Sequence, residues 1–556
     1  MLLSKELDKN NQISHILFLL AVTLWLFAVR STSATIGKFG LITVLPPTYF
    51  LAVILLIGAF LLQIHYYTPK TDKILALYTL FFIFFLILTP PLIEGTPRLF
   101  RSFRVYEGVS QLLYHQEFDP AYYDYHRWPG LFLLTSELAL LAGFEDPTLL
   151  LLLYPTAIWL AYSLPLYNAL RLILGRSRLT WVALWFFYLG LWIDQEYFSP
   201  QSLGFLFFLF GFWITLSIFY NSSFAVRKLS LTVVLAVIAI VTFITHLLSF
   251  VALSLCIFSI MISKLAGLRI ADAKLESFRF LKPSRAIPFL FVVVLAVAAT
   301  FFLSEEFGIW NFFFGETATA SYFEIGFLNL ELSIERALQY HIDIGSGEHS
   351  VIVVIRMIFG GILVGVALTG ALVSLKDIKS SIRQIPVIFW ILGLSSLVLI
   401  HNYGMEMILR TFMFSLLPLS ALAARLFHSK YLRSLLILFF LLAFPFHITS
   451  HYGNEYMDYI PPSELRGLDF LYDHMSNYSR IYQPPSSIMW QYKQFGHMNL
   501  QFGSLTLYYL VKQTTQHSRT FYHAGEETGT IWAIVTDQDP HYDKIYENPT
   551  VMVYRG

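Results

Sequence analysis

The chain has 556 residues, of which 56% are hydrophobic, 17% aromatic and only 13% charged. Soluble domains are about a quarter charged, so the composition excludes an ordinary soluble domain and specifies an α-helical polytopic membrane protein. A formal net charge of +1 excludes bulk attraction to nucleic acid, and a single cysteine, Cys256, excludes a disulfide framework and a cysteine metal cluster.

Crossing the hydrocarbon core takes about 20 apolar residues in a helix. The first such run is 14–30. Ser31-Thr32-Ser33-Ala34 follows it as in a secretory signal, but its N-region is weakly basic and mixed with Glu6 and Asp8, so it is read as an anchor. Runs at 41–63 and 74–92 come next, and then a long polar interruption from Pro90 to Gly130. That interruption opens an external loop over 93–147. Further spans fall at 148–172, 179–194, 202–220, 229–245, 247–264 and 286–304. A second external loop, acidic and aromatic, occupies 305–350, and spans resume at 351–375, 385–401, 408–427 and 432–449. The transmembrane domain is therefore 1–449, with about 13 spans.

The loops fix the orientation. One set carries Lys70 and Lys73, then Arg171, Arg176 and Arg178, then Arg227 and Lys228. It continues through Lys264 to Arg285, Lys376, Lys379 and Arg383, and Arg425, Lys430 and Arg433. The alternate turns, at Asp194–Gln201, Thr245–His246 and His401–Glu406, contain no Lys or Arg. Positive-inside places the basic set in the cytoplasm, with Arg30 and Lys38 as minor exceptions, so the chain is N-in and C-out in the plasma membrane.

Residues 450–556 form a polar tail expected to be a small extracytoplasmic α/β domain. Ser463 is placed to cap a helix over SELRGLDFLYDHM, and TIWAIVT and TVMVYRG read as strands. Asn477-Tyr478-Ser479 is an N-glycosylation sequon.

The polar interruption concentrates the chemistry. Glu94 stands where a hydrophobic run ends, and partial desolvation there strengthens a carboxylate as a general base; a helix-end acid in the headgroup zone is the equal alternative. Arg98, Arg101 and Arg104 recur every three residues on one polar arc, opposite Leu99, Phe103, Tyr106, Val109 and Leu113. The pattern is an amphipathic interfacial helix whose guanidinium groups clamp a lipid-linked phosphate or anchor to anionic headgroups. Asp119, Asp124 and His126 offer acid–base groups or hard-metal ligands, although their spacing matches no metal motif, so no metal ligands are assigned and a divalent metal stays an open option.

Elsewhere, Asp194, Glu196 and Gln201 share a short turn between apolar helices and should face a wet cavity. His246 ends another hairpin, where a hydrogen-bonded structural role is the commoner one. Glu406 and Arg410 stand four apart at the start of a span, an i,i+4 pair whose arginine must turn to a polar interior.

At these residues the chain resembles the GT-C fold membrane glycosyltransferases, which place an acid in the first large external loop, the position Glu94 holds here. Trp128 to Pro147, WPGLFLLTSELALLAGFEDP, resembles the superfamily's Pro-Gly juxtamembrane helix, and YPTAIWLAYSLPLYNALRLILGR its inward-running span. The close of the tail, Lys544–Asn548 and Val551–Tyr554, is similar to uncharacterised prokaryotic, archaeal-type members. Departures are a lone Glu94 in place of a paired acid and two additional spans before the loop. The Trp-Trp-Asp signature of oligosaccharyltransferases is absent.

The resemblance implies transfer of a sugar from a polyprenyl-phosphate donor to a glycan, lipid or protein acceptor on the extracytoplasmic face. Glu94 would deprotonate the acceptor, with Asp124, His126 and Glu196 as further catalytic candidates. Arg98, Arg101 or Arg410 would neutralise the departing phosphate, with Arg104, Asp194, Gln201, His246 and Glu406 lining the substrate site. A secondary transporter or flippase lacks the paired broken helices expected of it. A non-catalytic binder of lipid-linked glycans shares most of these features.

Overall fold

Pro90 and Pro91 stand where the third apolar helix would otherwise run on, and their missing N–H groups shape one end of the bundle. The computed structural model describes residues 2–116, 118, 124–143, 147–220, 228–271, 346–374, 390, 391, 393, 395, 406–428, 430–474, 480–482, 507–512, 543–548 and 551–555.

Helices α1 (Leu2–Ser31) and α2 (Pro47–His65) pack along one another. Helix α3 (Asp72–Ile83) continues through a π turn, Phe84–Leu88, into α4 (Thr89–Glu94). Pro90 has no N–H for the carbonyl of Leu86 four residues back, and the Tyr452 hydroxyl donates to that carbonyl instead, at 2.7 Å. The carbonyl of Phe85 accepts from Tyr49 Oη at 2.6 Å and from Thr89 Oγ1 at 2.8 Å. Thr89 Oγ1 in turn accepts from Trp25 Nε1 at 2.9 Å. The irregular turn is thus satisfied by α1, α2 and the last long helix together.

The core beneath it is aromatic. Trp185 lies stacked between Phe60 and Phe82, with ring centroids 3.7 and 4.0 Å away, and its Nε1 donates to Thr79.

The chain then runs through α5 (Phe100–His115), α6 (Gly130–Ala142), α7 (Thr148–Leu174), α8 (Arg178–Gly190) and α9 (Pro200–Tyr220). After α10 (Lys228–Thr245) and α11 (Leu247–Ala271) come α12 (Gly347–Ser374), α13 (Met407–Ala424) and α14 (Lys430–Tyr452). A Cβ on Gly130 would come within 2.4 Å of Thr245 Oγ1, so only glycine lets α6 start against the end of α10.

Among the described residues, eight helical stretches are long and apolar enough to cross a membrane. They correspond to the expected spans at 14–30, 41–63, 74–92, 148–172, 202–220, 351–375, 408–427 and 432–449, except that the second begins only at Pro47, with Leu41–Thr43 in a separate 3-10 turn. The apolar stretches Leu229–Thr245 of α10 and Leu247–Met261 of α11 are shorter. Of the expected span 179–194, the helix runs from Arg178 to Gly190, and Leu179 to Gly190 are all buried in the core of the bundle. The expected span 286–304 lies outside the described residues, as does most of 385–401.

The two ends of the bundle differ in charge. At one, Arg176 pairs with Asp72 at 2.7 Å, and Arg178 and Arg433 lie over the Phe427 ring at 5.1 and 4.8 Å. At the other gather the acids described below.

In the tail, a helix runs from Pro462 to His474, starting one residue before the Ser463 expected to cap it. Strands β1 (Arg480–Tyr482), β2 (Leu507–Lys512), β3 (Asp543–Asn548) and β4 (Val551–Arg555) form one sheet in the order β1-β2-β4-β3. β1 is parallel to β2, and β4 is antiparallel to both β2 and β3. β4 is the expected strand TVMVYRG. TIWAIVT, the sequon at 477–479 and loop residues 305–345 lie outside the described residues. Leu468, Leu471 and Val553 share a buried cluster with Phe103 and Val109 of α5, so this part of the tail packs on the amphipathic helix.

Candidate functional site

The site starts from Glu94, the last residue of α4. Gly95 ends that helix in the left-handed conformation, φ 69°, with its N–H on the Pro91 carbonyl. Four residues on, Leu99 also has positive φ, 66°, a conformation costly for a branched side chain. This corrects the sequence reading of α5: Arg98 is not on the helix, because the backbone reverses at Leu99 and the helix begins at Phe100. Arg101 and Arg104 stay on its exposed face, while Leu99, Phe103, Tyr106 and Val109 are buried.

Arg98 turns inward and is only 5% exposed. Its Nε donates to Glu455, its Nη1 to Glu196 Oε1 at 3.0 Å, and its Nη2 to Asp194 Oδ1 at 2.8 Å and to the His451 carbonyl at 3.0 Å. The guanidinium lies 4.6 Å from the Tyr452 ring centroid, and Tyr452 stacks flat on His451. Arg356, from the third turn of α12, donates to the Ser450 carbonyl at 2.6 Å and to Asp194 Oδ2 at 3.3 Å. Burial alone would depress the Arg98 pKa, but Asp194, Glu455 and Glu196 hold it well above the ordinary arginine value. Burial pushes the Asp194 carboxyl up, and Arg98, His451 and Arg356 more than reverse that, leaving it below the usual carboxylate range.

Two histidines extend the cluster. His447 Nδ1 donates to the Leu189 carbonyl at 2.8 Å, since a carbonyl only accepts. His451 Nδ1 meets His447 Nε2 at 3.3 Å, and His451 Nε2 meets Glu196 Oε1 at 2.8 Å and Asp194 Oδ1 at 3.2 Å. Glu196 Oε1 and Asp194 Oδ1 both accept from Arg98 as well, so the hydrogen in the contacts to His451 lies on its Nε2.

Five acids, Glu94, Asp194, Glu196, Glu455 and Asp458, surround this core. Glu94 is 2% exposed and interacts electrostatically with Glu455, Arg98 and Asp458, yet neither of its carboxylate oxygens has a hydrogen-bond partner. Buried polar groups are nearly always paired, so this carboxylate stands apart from the rest of the site.

A second polar group lies at the starts of α9 and α13. Arg410 donates to Gln201 and to Glu406, the i,i+4 pair the spacing predicts. His246 caps α11, its Nδ1 accepting from the Ser249 backbone N–H at 3.2 Å, which is the structural role. His126 is fully buried and donates to the Gly108 carbonyl at 3.0 Å, tying the opening loop to α5 rather than to the acids. Asp124 begins the 3-10 turn Asp124–Arg127, and Asp119 lies outside the described residues.

No family model matches the chain, and no curated protein matches it. Among solved structures it is similar to the Archaeoglobus fulgidus oligosaccharyltransferase tethered with an acceptor peptide, at 14% identity and a TM-score of 0.40, covering 75% of this chain and 62% of that one. The same archaeal enzyme, AglB, with an inhibitory peptide and a dolichol-phosphate gives 14% identity and 0.42, covering 73% and 62%. Its complex with Zn and sulfate gives 16% and 0.39, covering 73% and 60%. The chain thus spans less than two thirds of the length of these neighbours.

Whether this centre suits a metal is decided by its donors. Asp194, Glu196 and His451 each bring a potential ligand atom within 4.8 Å of the others. Those atoms already face N–H groups: Asp194 Oδ1 and Glu196 Oε1 accept from Arg98, and His451 Nε2 is itself a donor. As built, the three do not fit a divalent ion.

Sequence reasoning found Glu94, Arg98, Asp194 and Glu196 and missed Arg356, His447, His451, Glu455 and Asp458. The signal was there. His447, His451, Glu455 and Asp458 are spaced by four, four and three, one face of a helix.

Proposed function

We propose that the chain is a GT-C type membrane glycosyltransferase that moves a sugar from a polyprenyl-phosphate donor to an acceptor hydroxyl at the acid-ringed, extracytoplasmic end of its bundle. The observation that carries this reading is Glu94, a buried carboxylate with both oxygens unpartnered beside a cationic centre. Such a group is held ready to accept a proton. In the reaction Glu94 takes the acceptor hydroxyl's proton as its oxygen bonds the anomeric carbon. The bond from that carbon to the phosphate oxygen breaks, and the electron pair leaves with the lipid phosphate. Arg101, exposed on α5 and in electrostatic reach of Asp458, meets that developing charge, with Arg410 at the neighbouring helix start. Donor lipid and membrane lipid lie against the exposed apolar helix faces, where Leu138, Leu140 and Leu141 of α6 stand out. The acceptor is a glycan, a lipid or a protein.

The test is transfer from a panel of labelled polyprenyl-phosphate sugars by the purified chain in proteoliposomes. Transfer abolished by Glu94→Ala supports the reading. No transfer from any donor, with donor still bound, replaces it with a non-catalytic binder of lipid-linked glycans.

A further inference from the structure

We infer that the acid cluster carries its own cation: Arg98, with the His447–His451 pair, stands where a divalent ion would stand, and the centre works without a metal. The inference concerns the site named under Proposed function, but it stands on hydrogen bonds alone and its readout does not depend on sugar transfer.

Each oxygen of the two carboxylates best placed to bind an ion is taken. Asp194 Oδ1 accepts from Arg98 at 2.8 Å and from His451 at 3.2 Å, and Asp194 Oδ2 accepts from Arg356 at 3.3 Å. Glu196 Oε1 accepts from Arg98 at 3.0 Å and from His451 at 2.8 Å, while Glu196 Oε2 accepts from the Gln195 backbone N–H at 3.0 Å. The third candidate ligand, His451 Nε2, offers a hydrogen where a metal needs a lone pair. A divalent ion at this point would have to replace the contacts of His451 Nε2 to both carboxylates and displace a buried guanidinium that makes four hydrogen bonds.

Arginine suits this use. The guanidinium is always charged, and its planar fork presents donors in several directions, so one side chain can hold Glu455, Glu196 and Asp194 at once as a metal would. The reversal at Leu99 delivers it, by taking Arg98 off the helix that carries Arg101 and Arg104. Glu94 is left outside this network, as is Oε2 of Glu455. Those are the oxygens available to a substrate.

The experiment is a Mn2+ titration of the full-length protein in detergent, read by loss of the free-ion EPR signal, with metal content by elemental analysis and Tm with and without EDTA. Wild type should take up no stoichiometric Mn2+ at millimolar concentration, co-purify with no divalent metal, and keep its Tm in EDTA. Arg98→Met, which removes the guanidinium from Asp194 Oδ1, Glu196 Oε1 and Glu455 and leaves His451 Nε2 as the remaining donor, should bind one Mn2+ per chain and gain Tm in its presence. Arg98→Lys, which keeps the charge, should not. Stoichiometric metal in wild type, or a Tm lowered by EDTA, overturns the inference whatever the variants do. An Arg98→Met protein that folds but binds no Mn2+ overturns the claim that arginine occupies an ion's place. Absence of sugar transfer would sink the transferase reading and leave these outcomes untouched.

Discussion

Replacing Glu94 by glutamine separates a catalytic acid from a structural one. The side chain keeps its shape and loses its charge. In the folded protein the carboxylate is buried, unpartnered, and close to Glu455 and Asp458. Leaving a buried acceptor unpaired costs about 1–3 kcal/mol, and more for a charged one. Glutamine removes the charge and brings an amide N–H2 that the neighbouring acids can accept from. Stability should therefore rise by about 1–3 kcal/mol, seen as a Tm higher by a few degrees. Transfer should fall by roughly 10²–10⁴-fold, the usual contribution of a general base. Tm by scanning fluorimetry and single-turnover transfer on one preparation read the two effects together. A lower Tm would mean that Glu94 has a stabilising partner, contrary to its geometry. Near-normal transfer would remove it from the reaction.

Tyr452→Phe keeps the ring under Arg98 but strips the donor from the Leu86 carbonyl, and should lower stability by about 1–3 kcal/mol; an unchanged Tm would show that the carbonyl finds another donor. Glu107 on α5 is pushed up to about 7 by burial, against the pull of Arg104. A raised carboxyl leaves stability full below its unfolded value of 4.5 and lost as pH rises through about 7, so Glu107→Gln should raise stability at pH 8 by on the order of 1–3 kcal/mol, seen as a higher Tm, and leave it unchanged near pH 4. A gain of equal size at both pH values would rule out titration as its cause. For topology, in a Cys256→Ser background, Lys38→Cys should react with an impermeant thiol reagent on intact cells and Lys70→Cys only after permeabilisation; the opposite pattern reverses the orientation.

The long apolar helices were legible because membrane crossing imposes a length and a composition that few other structures share. The end of the helix at Gly190 was not legible in the apolar run 179–194, because a residue walled in by other helices is as apolar in a turn as in a helix. Glu94 was legible from its position at the end of a hydrophobic run. Arg98 was legible as important and not as to place: spacing by three put it on α5, and no residue pattern announces a positive φ at a leucine. The histidine–acid face from His447 to Asp458 was hidden by a boundary drawn at 449/450, which gave its first residue to a span and the rest to a soluble tail. Arg356 was readable on its own, since a lone charge within an apolar span marks a polar interior.

The bond from Tyr452 to the Leu86 carbonyl joins residues 366 positions apart. At roughly 5–20 residues per second of synthesis, the segment with Pro90 waits about 20–70 s in the membrane before its partner is made. Until then the Leu86 carbonyl lacks its donor, and Arg98 lacks Glu455, the His451 carbonyl and the ring it lies on. A nascent chain inserted through α13 therefore carries Glu94 and Arg98 without the partners that hold Arg98 in place, and the cluster forms only when the final long helix arrives. Chains arrested just before Lys430 should leave Arg98 open to phenylglyoxal, and protection already present at that stage would show that the centre assembles without its last helix.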